Sequence, residues 1–354
     1  MHRNKKILII IADITRAGGT ERACINLANI LRDNHKVSIL SLGKNGMPFF
    51  ELDKDVEVTF TNLNEIPKKL KDKFQWYGKT FKFLKHFINQ SNYDVIIGEG
   101  HNISVFLPFL KNKGNTKIIA SEHIDYNTIP SISKKMMLLA YSKLSSIVVL
   151  SKIAYEKIHK LNKNTFIIPN IIPFEMQQLS LLENKKIIMV GRLSKEKGYE
   201  RLVPIAKKLL TDFPDWQINI YGNGDQVEEI SNLYKKENLT NITINNPTPN
   251  IQEKYVDSSI FLITSYSEAM PMVIIEAQYC SLPVVGFRCE GTETLIKDGK
   301  TGFIVDTAED FYDKLKLLIL DKNKRREMGR CGLKDAEFYD KSNIKLLWEK
   351  VIQQ

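Results

Sequence analysis

Short runs of consecutive apolar residues recur along the chain, separated by longer stretches with apolar residues every three to four positions. In the first half the apolar runs are Ile7–Ala12, Lys36–Leu42, Val56–Phe60, Asp94–Gly98, Lys117–Ser121, Ser146–Leu150 and Phe166–Ile168. In the second half they are Lys186–Val190, Gln217–Tyr221, Thr243–Asn245, Ile260–Thr264, Pro283–Gly286 and Gly302–Val305. Their length and β-branched content predict strands, and their lack of polar alternation predicts strands buried on both faces of a parallel sheet. Helices are predicted over Glu21–Arg32, Lys134–Lys143, Glu200–Leu210, Asp225–Lys236, Pro271–Cys280 and Phe311–Asp321. Alternating strand and helix, met twice, predicts two doubly wound α/β domains.

The length, 354 residues, exceeds what one core holds and agrees with two domains. Their expected extents are 1–170 and 171–335, joined at the loop Asn170–Asn184 with its Pro173. Residues 336–354 should form a helix that either caps the second domain or crosses back to the first. The apolar residues make up 43%, as in a globular protein. Cys24, Cys280, Cys289 and Cys331 show no CxxC pair, which excludes a disulfide framework or a cysteine zinc site and points to a reducing, cytoplasmic setting. The basic N-terminal stretch is followed by an apolar run too short for a signal peptide, with Asp13 and Arg16 close behind. No run approaches the ~20 apolar residues of a membrane helix.

The charge of +10 is uneven. Residues 1–170 hold 26 lysines and arginines against 14 acids, and the remainder 25 against 27. The first half should therefore face an anionic partner. Residues 66–90 sharpen this: Leu70, Phe74, Tyr77, Phe81, Leu84 and Ile88 recur at helical spacing, with seven lysines around them. That composition fits a helix lying on anionic lipid, or one docked on the first domain with a solvated lysine face.

Four segments carry candidate chemistry. In SYSEAMPMVIIEAQYCSLPVV (265–285), a strand leads through a loop to Pro271, expected at the first helical position. Free N–H groups and the helix dipole would make an anion site there, with Glu268 in the loop and Glu276 eight residues on. Two carboxylates beside an anion site suit a ligand with a phosphate and polyol parts. GRLSKEKG (191–198) places Arg192 and Lys197 just after a strand, where two cations suit a diphosphate. ADITRAGGTERA (12–23) sets Gly18 and Gly19 between the first strand and helix, where a backbone can approach a ligand closely. SEHIDY (121–126) places His123 at a strand's carboxyl end. A dinucleotide GxGxxG is absent, which disfavours a nicotinamide dehydrogenase. Asp53-Lys-Asp55 looks superficially like a metal-binding DxD, but lies in a polar turn and is read as solvated.

Together these segments, with IIPNIIPF (167–174), YGNGD (221–225) and GTETLI (291–296), resemble glycosyltransferase family 4, the retaining transferases of GT-B fold with an E-x7-E pair. The resemblance runs along essentially the whole chain. It implies two Rossmann-like domains facing a central cleft, the first binding the acceptor and the second the nucleotide sugar. It implies that Arg192 and Lys197 hold the donor diphosphate, Glu276 the ribose hydroxyls and Glu268 the hydroxyls of the transferred sugar. Backbone around Met270, Met272 and Val273 would cradle phosphate and sugar. Gly18 and Gly19 would approach the phosphate from the other domain, His123 would touch the transferred sugar or its leaving side, and Gly222 and Asn223 would lie near the nucleoside. One departure stands out: the acid expected three residues after Gly291 is displaced to Glu293.

The expected activity is retaining transfer of a hexose or N-acetylhexosamine, from a nucleotide sugar (UDP by family frequency) to a surface glycan or lipid-linked acceptor. No cofactor and no metal are expected, and the setting is cytoplasmic, either free of the membrane or peripheral on its inner face, according to which alternative holds for residues 66–90. Rival readings are a sugar-nucleotide epimerase on the same fold, or a basic nucleic-acid- or membrane-binding protein without catalysis. Against nucleic acid, no recognisable nucleic-acid module is present.

Overall fold

The computed structural model describes residues 4–61, 63, 70–90, 92–110, 115–123, 126, 129–174 and 178–354. Two compact units divide the chain: Met1–Ile171 with Lys341–Gln354, and Ile172–Asp340.

Unit 1 contains β1 (Lys6–Ile11), α1 (Gly19–Leu31), β2 (Lys36–Ser41), β3 (Glu57–Phe60), α2 (Leu70–Gln90), β4 (Val95–Glu99) and α3 (His101–Ser104). There follow β5 (Lys117–Glu122), α4 (Ser131–Ala140), β6 (Ser146–Val149), α5 (Lys152–Ile158) and β7 (Thr165–Ile167). All pairings are parallel, in the order β3-β2-β1-β4-β5-β6-β7. The continuous apolar run of β1 has a direct physical cause. Ile7, Ile9 and Ile11 enter a core on one face of the sheet, under α1, while Leu8 and Ile10 enter the opposite core with α2 to α5. Successive side chains of a strand point to opposite faces, so a doubly covered strand needs both apolar.

Helix α2 meets its neighbours differently from the lipid-lying alternative. Trp76, Thr80, Leu84 and Ile88 are buried, and Tyr77, Phe81, Phe83 and Phe87 pack against the same core. The apolar stripe is thus covered by the unit's own sheet, while Lys79, Lys82 and Lys85 face solvent. Residues 66–69 lie outside the described residues, as do the side chains of Leu70, Lys71, Lys73 and Phe74. No described helix is long and apolar enough to cross a membrane.

Unit 2 contains β8 (Lys186–Val190), α6 (Leu202–Asp212), β9 (Gln217–Tyr221), α7 (Val227–Lys236), β10 (Ile242–Asn245), α8 (Ile251–Val256) and β11 (Ile260–Ile263). Then come α9 (Met272–Tyr279), β12 (Val284–Phe287), α10 (Glu290–Leu295), β13 (Gly302–Val305), α11 (Ala308–Leu320) and α12 (Lys322–Ala336). Its parallel sheet runs β10-β9-β8-β11-β12-β13. Strand order reverses beside β8, which has β9 on one side and β11 on the other. In open α/β sheets the crevice at the carboxyl ends of such a pair is where ligands bind. Unit 1 has the corresponding reversal between β1 and β4.

The last helix, α13 (Lys341–Gln353), belongs to unit 1 and packs on α1. Ile344, Trp348, Val351 and Ile352 are buried there, whereas Leu346 is exposed. Buried Glu349 receives a hydrogen bond from Asn34 Nδ2 and pairs with His35 Nε2, both at 2.9 Å, so the polar contacts fix the register that the apolar ones allow.

Candidate functional site

In unit 2 the loops leaving β8 and β11 are laced together. After Ser194 a short 3-10 turn, Lys195–Lys197, ends at Gly198, which is left-handed with φ +61°. A β-carbon at Gly198 would lie 2.7 Å from the Thr264 carbonyl oxygen, so the two loops touch backbone to backbone. Three bonds hold them: Thr264 Oγ1 donates to the Lys197 carbonyl (2.9 Å), Tyr266 N–H to the Glu196 carbonyl (2.8 Å), and Arg201 Nη1 to the Thr264 carbonyl (2.9 Å). Arg201 also stacks on the Phe287 and Tyr266 rings.

The lacing delivers Lys197 to Glu268. Lys197 Nζ lies 2.5 Å from Glu268 Oε1, and Ser265 Oγ donates to the same oxygen at 2.7 Å. Behind Glu268 the start of α10 closes in: a β-carbon on Gly291 would come within 2.5 Å of Pro271 Cδ and 2.6 Å of Glu268 Cβ. Thus GRLSKEKG, the glutamate loop and GTETLI converge at one end of one sheet. The displaced acid Glu293 pairs on the surface with Arg288 at 2.8 Å.

Pro271 departs from its expected place. It is the extended N-cap residue (φ −72°, ψ 105°), and α9 begins at Met272. Its carbonyl still accepts from Ile274 N–H at 3.0 Å, so the proline ring presets the entry and the helical dihedrals begin one residue later. Met272 and Val273 supply the first N–H groups, which lack acceptors within the helix. Met270 and Pro271 are buried beneath them. Glu276 is wholly enclosed, accepting a hydrogen bond from Tyr255 OH at 3.1 Å. Arg192 projects into solvent just beyond β8. Gly222 has a structural reason: its β-carbon would sit 1.9 Å from the Gly191 carbonyl oxygen. Asn223 caps the neighbouring turn, its Oδ1 accepting from Gly224 N–H at 2.8 Å.

In unit 1 the predicted residues also sit at carboxyl ends of strands. Gly18 is the extended N-cap of α1 (φ −105°), and Gly19 opens the helix. Neither needs a left-handed backbone, and a β-carbon on Gly19 would meet no protein atom within 4 Å. The fold therefore does not demand glycine at position 19.

His123, just beyond β5, is more heavily engaged than a surface histidine. Its Nε2 contacts the carboxylate of Glu99, the last residue of β4, and Ser121 Oγ at 3.0 Å. Burial alone would lower its pKa, but the Glu99 charge and hydrogen bond outweigh that, and the pKa is raised. Next to it Glu122 is fully buried, and desolvation pushes its pKa up to about 7 although Tyr141 OH donates to it. Burial, with Glu99 and Glu21 nearby, raises the Cys24 thiol well above its ordinary value. His123 Nδ1 and Glu99 Oε1 are buried with no hydrogen-bond partner among the described residues. Glu99, Ser121, His123, Asn170 and Trp348 line a small cavity with them. Sequence reasoning passed over Glu99 and Glu122. The available signal was an acid closing an otherwise apolar strand, twice, at VIIGE and KIIASE.

Asp53 is committed to Arg32 at 2.8 Å, and its Oδ1 accepts from Asp55 N–H, as in a surface turn.

Residues 172–335 match the family model described as Glycosyl transferases group 1. An uncharacterized glycosyltransferase of Haemophilus influenzae is 29% identical over 98% of this chain and 100% of its own length. The amylovoran biosynthesis glycosyltransferase AmsD of Erwinia amylovora is 27% identical over 98% and 99%. A Campylobacter jejuni relative, 26% identical over 99% and 98%, is the GalNAc-alpha-(1->4)-GalNAc-alpha-(1->3)-diNAcBac-PP-undecaprenol alpha-1,4-N-acetyl-D-galactosaminyltransferase. These findings support a glycosyltransferase.

The fold is GT-B. S. aureus TarM in complex with Fondaparinux, alpha-GlcNAc-glycerol and UDP has a TM-score of 0.81 at 16% identity, covering 99% of this chain and 100% of that one. The sucrose-phosphate synthase of Thermosynechococcus elongatus has a TM-score of 0.84 at 17% identity, covering 99% of each. The epimerase and nucleic-acid readings are not favoured.

Proposed function

We propose that this glycosyltransferase moves a hexose or N-acetylhexosamine from a UDP-sugar to a hydroxyl of a growing surface glycan or lipid-linked acceptor, with retention at the anomeric carbon. The observation that carries the reading is the Lys197–Glu268 pair, held by two laced loops at the strand-order reversal of unit 2. A cation fixed beside a carboxylate, at a helix start with free N–H groups, suits a ligand with a diphosphate and adjoining hydroxyls. The UDP in the TarM complex supports the nucleotide, and the undecaprenol and amylovoran names of two relatives support the acceptor class. A cytoplasmic place of action belongs to the same reading.

In this mechanism Lys197 and Arg192 stabilise negative charge growing on the departing diphosphate. Glu268, oriented by Lys197 and Ser265, accepts from sugar hydroxyls, and Glu276, enclosed beside Tyr255, is assigned to the ribose hydroxyls. The acceptor hydroxyl attacks on the face the diphosphate leaves, and the leaving phosphate takes its proton. His123, held by Glu99 and Ser121, is the residue of unit 1 assigned to the transferred sugar. The bond broken is anomeric carbon to phosphate oxygen, and the bond formed is anomeric carbon to acceptor oxygen. Fixed charges aimed at developing charge contribute most of the rate enhancement in such catalysis. No resident cofactor or metal enters, so EDTA should leave the rate unchanged.

A panel of nucleotide sugars screened by thermal shift, followed by UDP release with and without a polyprenyl-diphosphate glycan, tests the reading. A donor-dependent rise in melting temperature and acceptor-stimulated UDP release are expected. Interconversion of the sugar without release, or no stabilisation by any nucleotide sugar, overturns it.

A further inference from the structure

Two buried acids of unit 1 each hold a basic side chain near the carboxyl ends of β1, β4 and β5. Glu99 holds His123. Glu21, in the first turn of α1 and only 5% exposed, holds Arg16. Arg16 Nε and Nη2 lie 3.1 and 3.0 Å from the same oxygen, Oε1 of Glu21, while half of the arginine side chain stays in solvent. Glu99 and Glu21 both raise the pKa of His123, so the four groups share one neighbourhood. The backbone leading to Arg16 is fixed as well. Ile14 is buried and its N–H donates to Ser41 Oγ at 3.2 Å. Asp13 Oδ1 accepts from the N–H (2.9 Å) and the hydroxyl (2.7 Å) of Thr15.

Folding gives little reason for the Arg16–Glu21 arrangement. A carboxylate is costly to bury, and replacing a buried ion pair by apolar residues is commonly neutral or stabilising. An arginine half in water adds little in return. What the pair does is aim a guanidinium. Glu21 takes its Nε–Nη2 side, and among the described residues nothing takes Nη1. The remaining Nη1–Nη2 edge offers two parallel N–H groups, the fork that matches two oxygens of a phosphate. The neighbouring acid Asp13 is turned onto Thr15, away from competing for that edge. Gly18 and Gly19 follow without side chains, and the space beside Gly19 is empty of protein.

We infer that Arg16 is a phosphate-binding residue of unit 1, and that Glu21 is the residue that positions it. The phosphate belongs either to the donor's diphosphate or to a diphosphate on the acceptor, and the experiment tells which. This deepens the proposed transfer reaction and rests on it for the substrates. Phosphate binding itself, however, is measurable without turnover.

Arg16→Ala alone strands Glu21 without its partner, so the test uses the full chain with Arg16→Ala plus Glu21→Gln, and with Arg16→Lys. Arg32→Ala, which removes another paired arginine of unit 1, is the control and should change nothing below. The double variant should melt near the wild-type temperature. If the phosphate is the donor's, calorimetric affinity for UDP should fall about tenfold, the size of one lost charge-assisted contact. If it is the acceptor's, UDP affinity should hold. KM for a polyprenyl-diphosphate glycan should then rise about tenfold, with KM for the same glycan on a phosphate-free carrier unchanged. Arg16→Lys should recover only part of either loss, because the fork is gone. Inorganic pyrophosphate supplies the arm without turnover: in a Lys197→Ala background, its affinity should fall about tenfold when Arg16 is removed. No change in UDP affinity, acceptor KM or pyrophosphate affinity overturns the inference. So does an equal rise in KM for the phosphate-free glycan, or a variant that loses only stability. Sugar transfer with all three quantities unchanged sinks this proposal alone, and Arg16-dependent pyrophosphate binding in a chain that transfers no sugar sinks the reaction alone.

Discussion

Lys197 and Glu268, 71 positions apart, meet at 2.5 Å because the loops that carry them are bonded backbone to backbone. Their side chains are 25% and 11% exposed, so the pair is reachable without being free to wander. Pairs this exposed contribute little to stability, about 0–1 kcal/mol. Its value lies in holding a cation and a carboxylate at one place. Lys197→Ala should therefore lower kcat by about a hundredfold to a thousandfold, the size of losing one fixed charge at a transition state. The melting temperature should hardly move. An unchanged kcat in a UDP-release assay would count against the site.

Gly198 tests the scaffold behind that pair. Gly198→Ala forces an L side chain into φ +61° and sets its β-carbon 2.7 Å from a carbonyl oxygen. A cost of about 1–3 kcal/mol is expected from the strained dihedral and the clash. Calorimetry should show a lower melting temperature, with donor affinity falling in parallel. Full stability would mean the two loops are not laced as described.

Gly19 gives the opposite pattern. Its backbone is ordinary and the space beside it is empty of protein, so Gly19→Ala should fold as well as wild type. If a ligand phosphate fills that space, KM for the donor should rise by about tenfold, a loss of roughly one hydrogen bond or close contact. Unchanged stability together with unchanged KM would remove Gly19 from the site.

Stability should fall as pH rises. The buried carboxyl of Glu122 holds its proton up to about pH 7 in the folded chain, against 4.5 for the ordinary group. His123 likewise binds its proton more tightly than a free imidazole, because Glu99 faces it. Both folded pKa values are raised, so both stabilising contributions are whole below the unfolded pKa values and are lost as pH climbs through the folded ones. For Glu122 the window runs from pH 4.5 to about 7, and for His123 it lies above the free value of 6.5. Chemical denaturation at a series of pH values should show the decline, and Glu122→Gln should flatten its lower part. A flat wild-type profile would contradict the buried arrangement.

Much of this was readable from residue order alone, for reasons that differ by element. The β1 run could be read because a doubly covered strand must be apolar throughout. The helix α12 escaped notice because its sequence, KNKRREMGRCGLKDA, is mostly polar with two glycines, although Asp321 signals its start by accepting from Lys324 N–H at 2.8 Å. Lys197 and Glu268 could be singled out because charged residues just after buried strands have few structural reasons to be there. Glu99 offered only the hint of an acid closing an apolar strand, and its partnership with His123 depends on β4 and β5 lying side by side, a long-range pairing that no local window contains. The 66–90 segment shows the converse limit. Periodicity marks an apolar stripe but does not tell what covers it, and here Leu84 and Ile88 face the protein's own core.

Helix α13 completes a core begun some three hundred residues earlier: Ile344 and Trp348 close over α1, and Lys5 Nζ reaches the Ile352 carbonyl at 2.5 Å. Until α13 docks, the apolar side chains that α1 turns toward it have no cover from that helix. Unit 2, contiguous in the chain, is free to mature first. A nascent chain arrested before residue 341 should expose apolar surface to chaperones, and a shortened protein lacking those last fourteen residues should suffer far more than the loss of a tail suggests.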